Sequence, residues 1–114
     1  MRRGEIWLIN LDPAVGAEIK KTRPAVIVND DAIGTLPLKI VVPVTQWKDR
    51  FSVAPWMVRL EPDDDNGLDK SSAADAFQVR SLAHERFVRR MGNLSDTAMR
   101  EISSALAIVL QIED

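Results

Sequence analysis

The 114-residue sequence predicts a mostly β (α+β) fold, a small barrel of about five to seven short strands closed by one C-terminal helix. Three observations carry that reading. Short apolar or alternating runs, each stopped by Pro, Asn, Asp or Gly, recur along most of the chain. After Gly92-Asn93-Leu94 the hydrophobic period changes from that of a strand to that of a helix. The length suits one compact domain, residues 1–114, and a chain of this size buries roughly 65% of its unfolded surface without staples.

The elements follow in order. Residues 5–11 (EIWLINL), rich in β-branched and aromatic side chains, form the first strand, stopped by Asp12-Pro13. Residues 25–28, launched by Pro24 and ended by Asn29-Asp30-Asp31, are a continuous apolar run suited to a strand buried on both faces. Residues 38–44 are another such run, in which Pro43 marks an edge or bulge near the end. Residues 56–60 alternate, with Trp56, Val58 and Leu60 on one face and Met57 and Arg59 on the other. A turn at 62–67 follows, and residues 73–79 and 86–91 complete the strands. Ser95 is the expected N-cap of the helix, with Asp96 in its first turn. Ala98, Met99, Ile102, Ala105, Leu106, Val109 and Leu110 form the stripe that packs on the barrel.

Composition excludes several chemistries. With no cysteine there is no disulfide, thiolate nucleophile or thiolate metal site, which fits a reducing cytoplasm. A single histidine excludes a two-imidazole mechanism and a histidine-rich zinc site. No secretory signal and no apolar run of the roughly 20 residues a span requires are present, so a soluble cytoplasmic protein without membrane association is expected. A pI near 5.4 argues weakly against a nucleic-acid partner. Residues 1–50, however, hold eight basic and six acidic side chains, and residues 51–114 seven and eleven. The net charge of −2 hides a mildly basic front half.

Among candidate sites, the acidic run Asp63-Asp64-Asp65-Asn66-Gly67 fails the calcium-loop register, because counting back from its glycine lands on Pro62. It reads as a solvated turn. His84 sits in a polar turn and reads as a surface residue, and Ser71 and Ser72 lack a nucleophile-elbow pattern. Residues 12–22 and 46–55 are the longer loops, where binding and chemistry concentrate. Residues 16–24 (GAEIKKTRP) cluster three cations and one acid at the mouth of a buried strand. Arg23 there is an apt phosphate clamp, and Thr45, ending another buried strand, could add a hydroxyl donor. On residue types alone, a solvated charged loop remains the plainer alternative.

Arg3-Gly4-Glu5-Ile6-Trp7, Leu11-Asp12-Pro13, Gly16-x-Glu18, Thr22-Arg23-Pro24-Ala25-Val26, Val42-Pro43-Val44-Thr45 and Gln78-Val79-Arg80-Ser81 follow one another before the closing amphipathic helix. In that order and spacing they resemble the MazF/PemK family of toxins across nearly the whole chain. The resemblance implies a dimeric SH3-like barrel of the CcdB/PemK type. It also implies an mRNA interferase, an endoribonuclease cutting single-stranded RNA without metal or cofactor. A cognate MazE-like antitoxin would occupy the RNA groove with an extended segment. By position the family's catalytic arginine and threonine fall on Arg23 and Thr45, its acidic loop residue on Glu18, and its RNA-holding glutamine on Gln78.

Two departures matter. Some members carry a histidine where this chain has Thr22 or Ala17. Others carry an arginine and an aspartate just ahead of the glutamine, where this chain reads Asp75-Ala76-Phe77-Gln78. The route that survives is attack of a ribose 2′-hydroxyl on the adjacent phosphate. Arg23 and Thr45 would hold the phosphoryl oxygens and Glu18 would act as general base. Lys20, Lys21 and Thr22 are expected to position RNA, and Trp47 and Phe51 are candidates for base stacking unless they are buried against barrel or dimer. Two other readings remain, a CcdB-like topoisomerase poison and a non-catalytic SH3-like RNA- or protein-binding module.

Overall fold

The computed structural model describes residues 1–33 and 36–113. Seven strands are seen among the described residues: β1 (Glu5–Asn10), β2 (Thr22–Ile27), β3 (Leu38–Gln46), β4 (Met57–Leu60), β5 (Ser72–Asp75), β6 (Arg80–Ala83) and β7 (Phe87–Asn93). The helix α1 (Asp96–Leu110) follows. All pairings are antiparallel, in the order β4-β5-β3-β2-β1-β7, with β6 also on β3. This is the expected mostly β architecture with a closing helix.

Both internal prolines sit deeper in strands than expected, for one reason. β2 begins at Thr22 rather than Ala25, so Arg23 and Pro24 lie within the strand. Pro24 pairs with Leu8 of β1, while the recorded ladder to β3 begins only at Ala25. Its missing N–H therefore removes no ladder bond on that side. β3 runs on to Gln46 because Pro43 falls opposite a break in its other edge. There β6 covers Leu38 to Val41 and β5 covers Val44 to Gln46, so Pro43 meets only β2 on its paired side.

The run at 73–79 is not one strand. β5 ends at Asp75, whose carboxylate accepts the Phe77 amide at 3.1 Å and caps a 3-10 turn, Ala76–Gln78. The chain then resumes as β6, a strand absent from the sequence reading, which took part of it for a polar turn. A second 3-10 turn, Asp49–Val53, interrupts the loop beyond β3.

Two apolar clusters form. One gathers Ile6, Val26, Val42, Val44, Val58 and Leu60 beneath Ile102 and Ala105 of α1. The other gathers Ile9, Leu11, Ala25, Ile27, Val41 and Leu82. Ser95 caps α1 as expected, its hydroxyl accepting the Ala98 amide at 3.1 Å. Leu110 departs from the stripe and is 55% exposed, because at 3.6 residues per turn it lies about 80° around the helix from Ile102.

The 62–67 turn is not merely solvated. Asn66 is buried; its side chain donates to the Glu61 carbonyl at 2.9 Å and accepts from the Leu68 amide at 2.9 Å. Asp63 Oδ1 accepts the amides of Asp65 and Asn66, each at 2.8 Å. The turn lies on β7, where the Asn93 amide donates to the Asp65 carbonyl at 2.8 Å. A Cβ on Gly92 would strike that carbonyl, and one on Gly67, at φ +72°, would strike the Met91 carbonyl. Contact between turn and strand thus draws the ends of an open sheet together.

Candidate functional site

The β2–β3 ladder pairs Ile27 with Val41, Val26 with Val42 and Ala25 with Pro43. That ladder ends at Ala25 and Pro43; beyond it lie Arg23 on β2 and Thr45 on β3, the latter paired with Ala73 of β5. Arg23 and Thr45 are half-buried and both line a cavity of about 280 Å³. Arg23 pairs with Ile9, which pairs with Phe87, so one row crosses β7, β1 and β2. The guanidinium is anchored at Nε, which donates to the Lys20 carbonyl at 3.4 Å. Lys70 and Arg89 line the same cavity, with Thr22, Ser72 and Asp69. Three cations facing one acid make it suited to a phosphate.

Along β3, Pro43 stands two residues before Thr45 and so on the same face of the strand. Pro43 belongs to the floor of a larger groove of about 630 Å³, which is also lined by Glu18, Ile19, Phe77, Gln78 and Arg80. The two hollows share no lining residue, and β3 carries Pro43 of one and Thr45 of the other two residues apart.

Gln78 and Glu18 meet in this groove. Gln78 Oε1 accepts the Ile19 amide at 2.6 Å, and Nε2 donates to the Ala17 carbonyl at 3.3 Å and to Asp75 Oδ2 at 3.2 Å. The amide thus ties the loop to the 3-10 turn. Burial raises the Asp75 carboxyl above the ordinary aspartate value, outweighing its bonds from Phe77 and Gln78. The exposed Glu18 carboxylate accepts the Val15 amide at 2.6 Å and does not line the Arg23–Thr45 cavity.

Other expected residues are dispersed. Lys20 and Lys21 are exposed; Lys21, at φ +71°, ties the loop through its amide to Asp12 at 2.8 Å. Thr22 is exposed at the cavity rim. Trp47 lines neither hollow; it is half-buried against Phe51, ring centroids 5.8 Å apart, with the Arg59 guanidinium 4.8 Å from its centroid. His84 is half-buried rather than a plain surface residue, edge-on to Phe87, with Nε2 enclosed and without a partner among the described residues. No cluster of three or more potential metal-ligating side chains is found among the described residues.

Sequence reasoning passed over Lys70, Arg89, Arg80 and Phe77. The first three lie in the acidic half of the chain, where only strand pairing shows which cations face a cavity. Arg89 was open to detection, since β7 alternates and Arg89 pairs with Leu8 beside the Arg23 row.

Comparison with known proteins agrees with this architecture. A family model described as PemK-like, MazF-like toxin of type II toxin-antitoxin system matches residues 2–110. Endoribonuclease MazF9 of Mycobacterium tuberculosis is 37% identical over 118 residues, covering 98% of either chain. Endoribonuclease PemK of Escherichia coli is 34% identical over 112 residues, covering 96% of this chain and 82% of its own. The crystal structure of MazF from Deinococcus radiodurans superposes with a TM-score of 0.81 at 24% identity, over 98% of this chain and 97% of that one. A mycobacterial endoribonuclease solved with its cognate antitoxin gives 0.78 at 20% identity, over 100% and 98%. By this family match, and by relatives more than 30% identical along their length, the chain belongs to the PemK-like, MazF-like toxins of type II toxin–antitoxin systems.

Proposed function

We propose that this chain is an endoribonuclease, a single toxin domain over residues 1–114 that cleaves single-stranded RNA to 2′,3′-cyclic phosphate and 5′-hydroxyl ends. The observation that carries the reading is that Arg23 and Thr45 line one cavity together with Lys70 and Arg89. The ribose 2′-oxygen attacks the adjacent phosphorus as its proton passes to a base. The bond from phosphorus to the 5′-oxygen breaks, and that oxygen takes a proton from water of the open cavity to leave as a hydroxyl. Arg23 stabilises charge on the phosphoryl oxygens and the Thr45 hydroxyl donates to one of them. Glu18, an exposed carboxylate on the loop leading into β2, is our candidate base. To serve, it must leave the Val15 amide and turn toward the row. Lys20, Lys21 and Thr22 flank the RNA path, and Gln78 shapes it by holding the loop.

In this reading a cognate MazE-like antitoxin lays an extended segment along the larger groove and blocks RNA. The named endoribonuclease relatives and the mycobacterial neighbour solved with its antitoxin support it. The toxin acts as a homodimer in the cytoplasm, where its RNA lies; exposed Leu36, Leu38 and Ile40 offer apolar surface for self-association. No helix among the described residues is long and apolar enough to cross a membrane.

The test is incubation of the protein, freed of metal with chelator, with a mixed RNA, followed by mapping of the cut ends. Cyclic-phosphate ends from wild type, and none from folded Arg23→Ala, are expected. Thr45→Val should lower kcat roughly 10²–10³-fold, the usual effect of losing one preorganised donor. Intact RNA with wild type, or full activity in folded Arg23→Ala, would sink the assignment. RNA left intact while a topoisomerase is inhibited would favour a CcdB-like poison, and RNA bound without cleavage a binding module.

A further inference from the structure

The groove near the cavity lined by Arg23 and Thr45 has its own aromatic surface. Phe77 is 65% exposed although it belongs to the capped 3-10 turn between β5 and β6. One contact steadies its ring, an edge-to-face meeting with half-buried Trp56, centroids 5.9 Å apart at 60°. Its backbone amide is held by Asp75 at 3.1 Å. Phe77 therefore offers a bare ring surface at little further entropic cost. Gln78 and Arg80 line the same groove, and Arg80 forms no ion pair among the described residues.

We propose that Phe77 is the platform on which one unstacked base of the RNA substrate rests, immediately beside the scissile phosphate, and that Arg80 meets that nucleotide's phosphate or base edge. The proposal builds on the ribonuclease reading and adds a specificity-determining residue to it. Its occupant is a nucleobase because the groove joins an apolar ring to a free cation, and because Pro43 of the groove stands two residues along β3 from Thr45 of the cavity that takes the phosphate. The aromatic residues beyond β3 are less suited. Trp47 is already engaged by Phe51 and Arg59, and neither Trp47 nor Phe51 lines the groove.

The experiment uses the full chain as wild type, Phe77→Ala, Phe77→Leu and Phe77→Trp. Each is titrated with short RNAs whose preferred cut site, mapped for wild type, carries a 2′-deoxyribose that prevents cleavage. 2-Aminopurine is placed at each neighbouring position in turn. Wild type should quench the probe at one position, and Phe77→Trp should keep that quenching. Phe77→Ala and Phe77→Leu should lose it, with a roughly 5- to 150-fold weaker affinity, the range one stacked base supplies. With the all-ribose, cleavable RNA, kcat/KM should fall for Phe77→Ala and Phe77→Leu and the base preference at that position should relax. Exposure of the ring keeps the variants foldable, and two of them guard against an accident of one. Unchanged affinity and preference in Phe77→Ala and Phe77→Leu, with wild type cutting RNA normally, overturn this proposal alone. So does a change in their oligomeric mass, which would make Phe77 a self-association contact. A wild type that neither binds nor cuts RNA overturns the ribonuclease reading and this proposal with it.

Discussion

Gln78 holds Ile19 across 59 residues of chain, its side-chain carbonyl accepting the Ile19 amide at 2.6 Å. The bond joins the 12–22 loop to the 3-10 turn and keeps both walls of the groove in place. Gln78→Ala should cost about 1–2 kcal/mol of stability and speed hydrogen exchange at the Ile19 amide. RNA cleavage should weaken mainly through KM, since Arg23 and Thr45 stay in their strands. An unchanged Ile19 exchange rate would remove the proposed tie.

Lys70 and Arg89 predict how cleavage responds to salt. Few cations line the two hollows, so the log–log slope of RNA affinity against salt should be shallower than about −4. Lys70→Ala and Arg89→Ala should each flatten it by about 0.7, the share of one phosphate contact on a single strand. Filter binding across a salt series reads this directly, and an unaltered slope would place neither residue at a phosphate.

Asp75 predicts a pH dependence. Burial raises its carboxyl above the ordinary aspartate value of 3.8. The folded state therefore holds the proton more tightly than the unfolded state. That contribution is full below the unfolded value and is lost as pH rises through the folded one. Asp75→Asn lacks it. The stability of the variant relative to wild type should therefore rise with pH across that window, as read by urea denaturation at acidic and neutral pH. A difference that stays flat with pH would contradict the assignment.

Gly92 and Gly16 make a contrasting pair. A Cβ at Gly92 meets the Asp65 carbonyl, whereas one at Gly16, at φ +59°, meets nothing within 4 Å. Gly92→Ala should destabilise by about 1–3 kcal/mol through overpacking of turn against strand. Gly16→Ala should cost about 1 kcal/mol, from backbone conformation alone. Equal losses in thermal unfolding would show that the turn does not clamp β7.

Where side-chain period decides structure, the sequence was legible. The Ser95 cap, the Ile102–Ala105 stripe and the alternation of Val58 and Leu60 stand where periodicity put them. Pro24 and Pro43 misled because a proline ends a strand only where its N–H would have had a partner, and pairing gaps cannot be read from one chain. β6 was hidden because Asp75 turns the chain through its own carboxylate before the strand resumes. At the site, residue types singled out Arg23 and Thr45, and the fold brings both into the lining of one cavity. Glu18, Trp47 and Gln78 were singled out with them, yet their present partners are Val15, Phe51 with Arg59, and Ile19. Those contacts depend on how the loops fold back, which composition does not encode.

The break in pairing along β3, opposite Pro43, keeps two kinds of inherited change apart. Arg23 is carried by β2 where it pairs with Ile9 of β1, and Thr45 by β3 where it pairs with Ala73 of β5. The short turn bearing Phe77 and Gln78 lies between β5 and β6, outside the ladders, and is held by the Ala76 amide on the Trp56 carbonyl and by Gln78 on the 12–22 loop. On the proposed ribonuclease reading, substitutions in that turn would change which RNA is preferred and leave Arg23 and Thr45 in place, so retargeting would need changes in that turn alone.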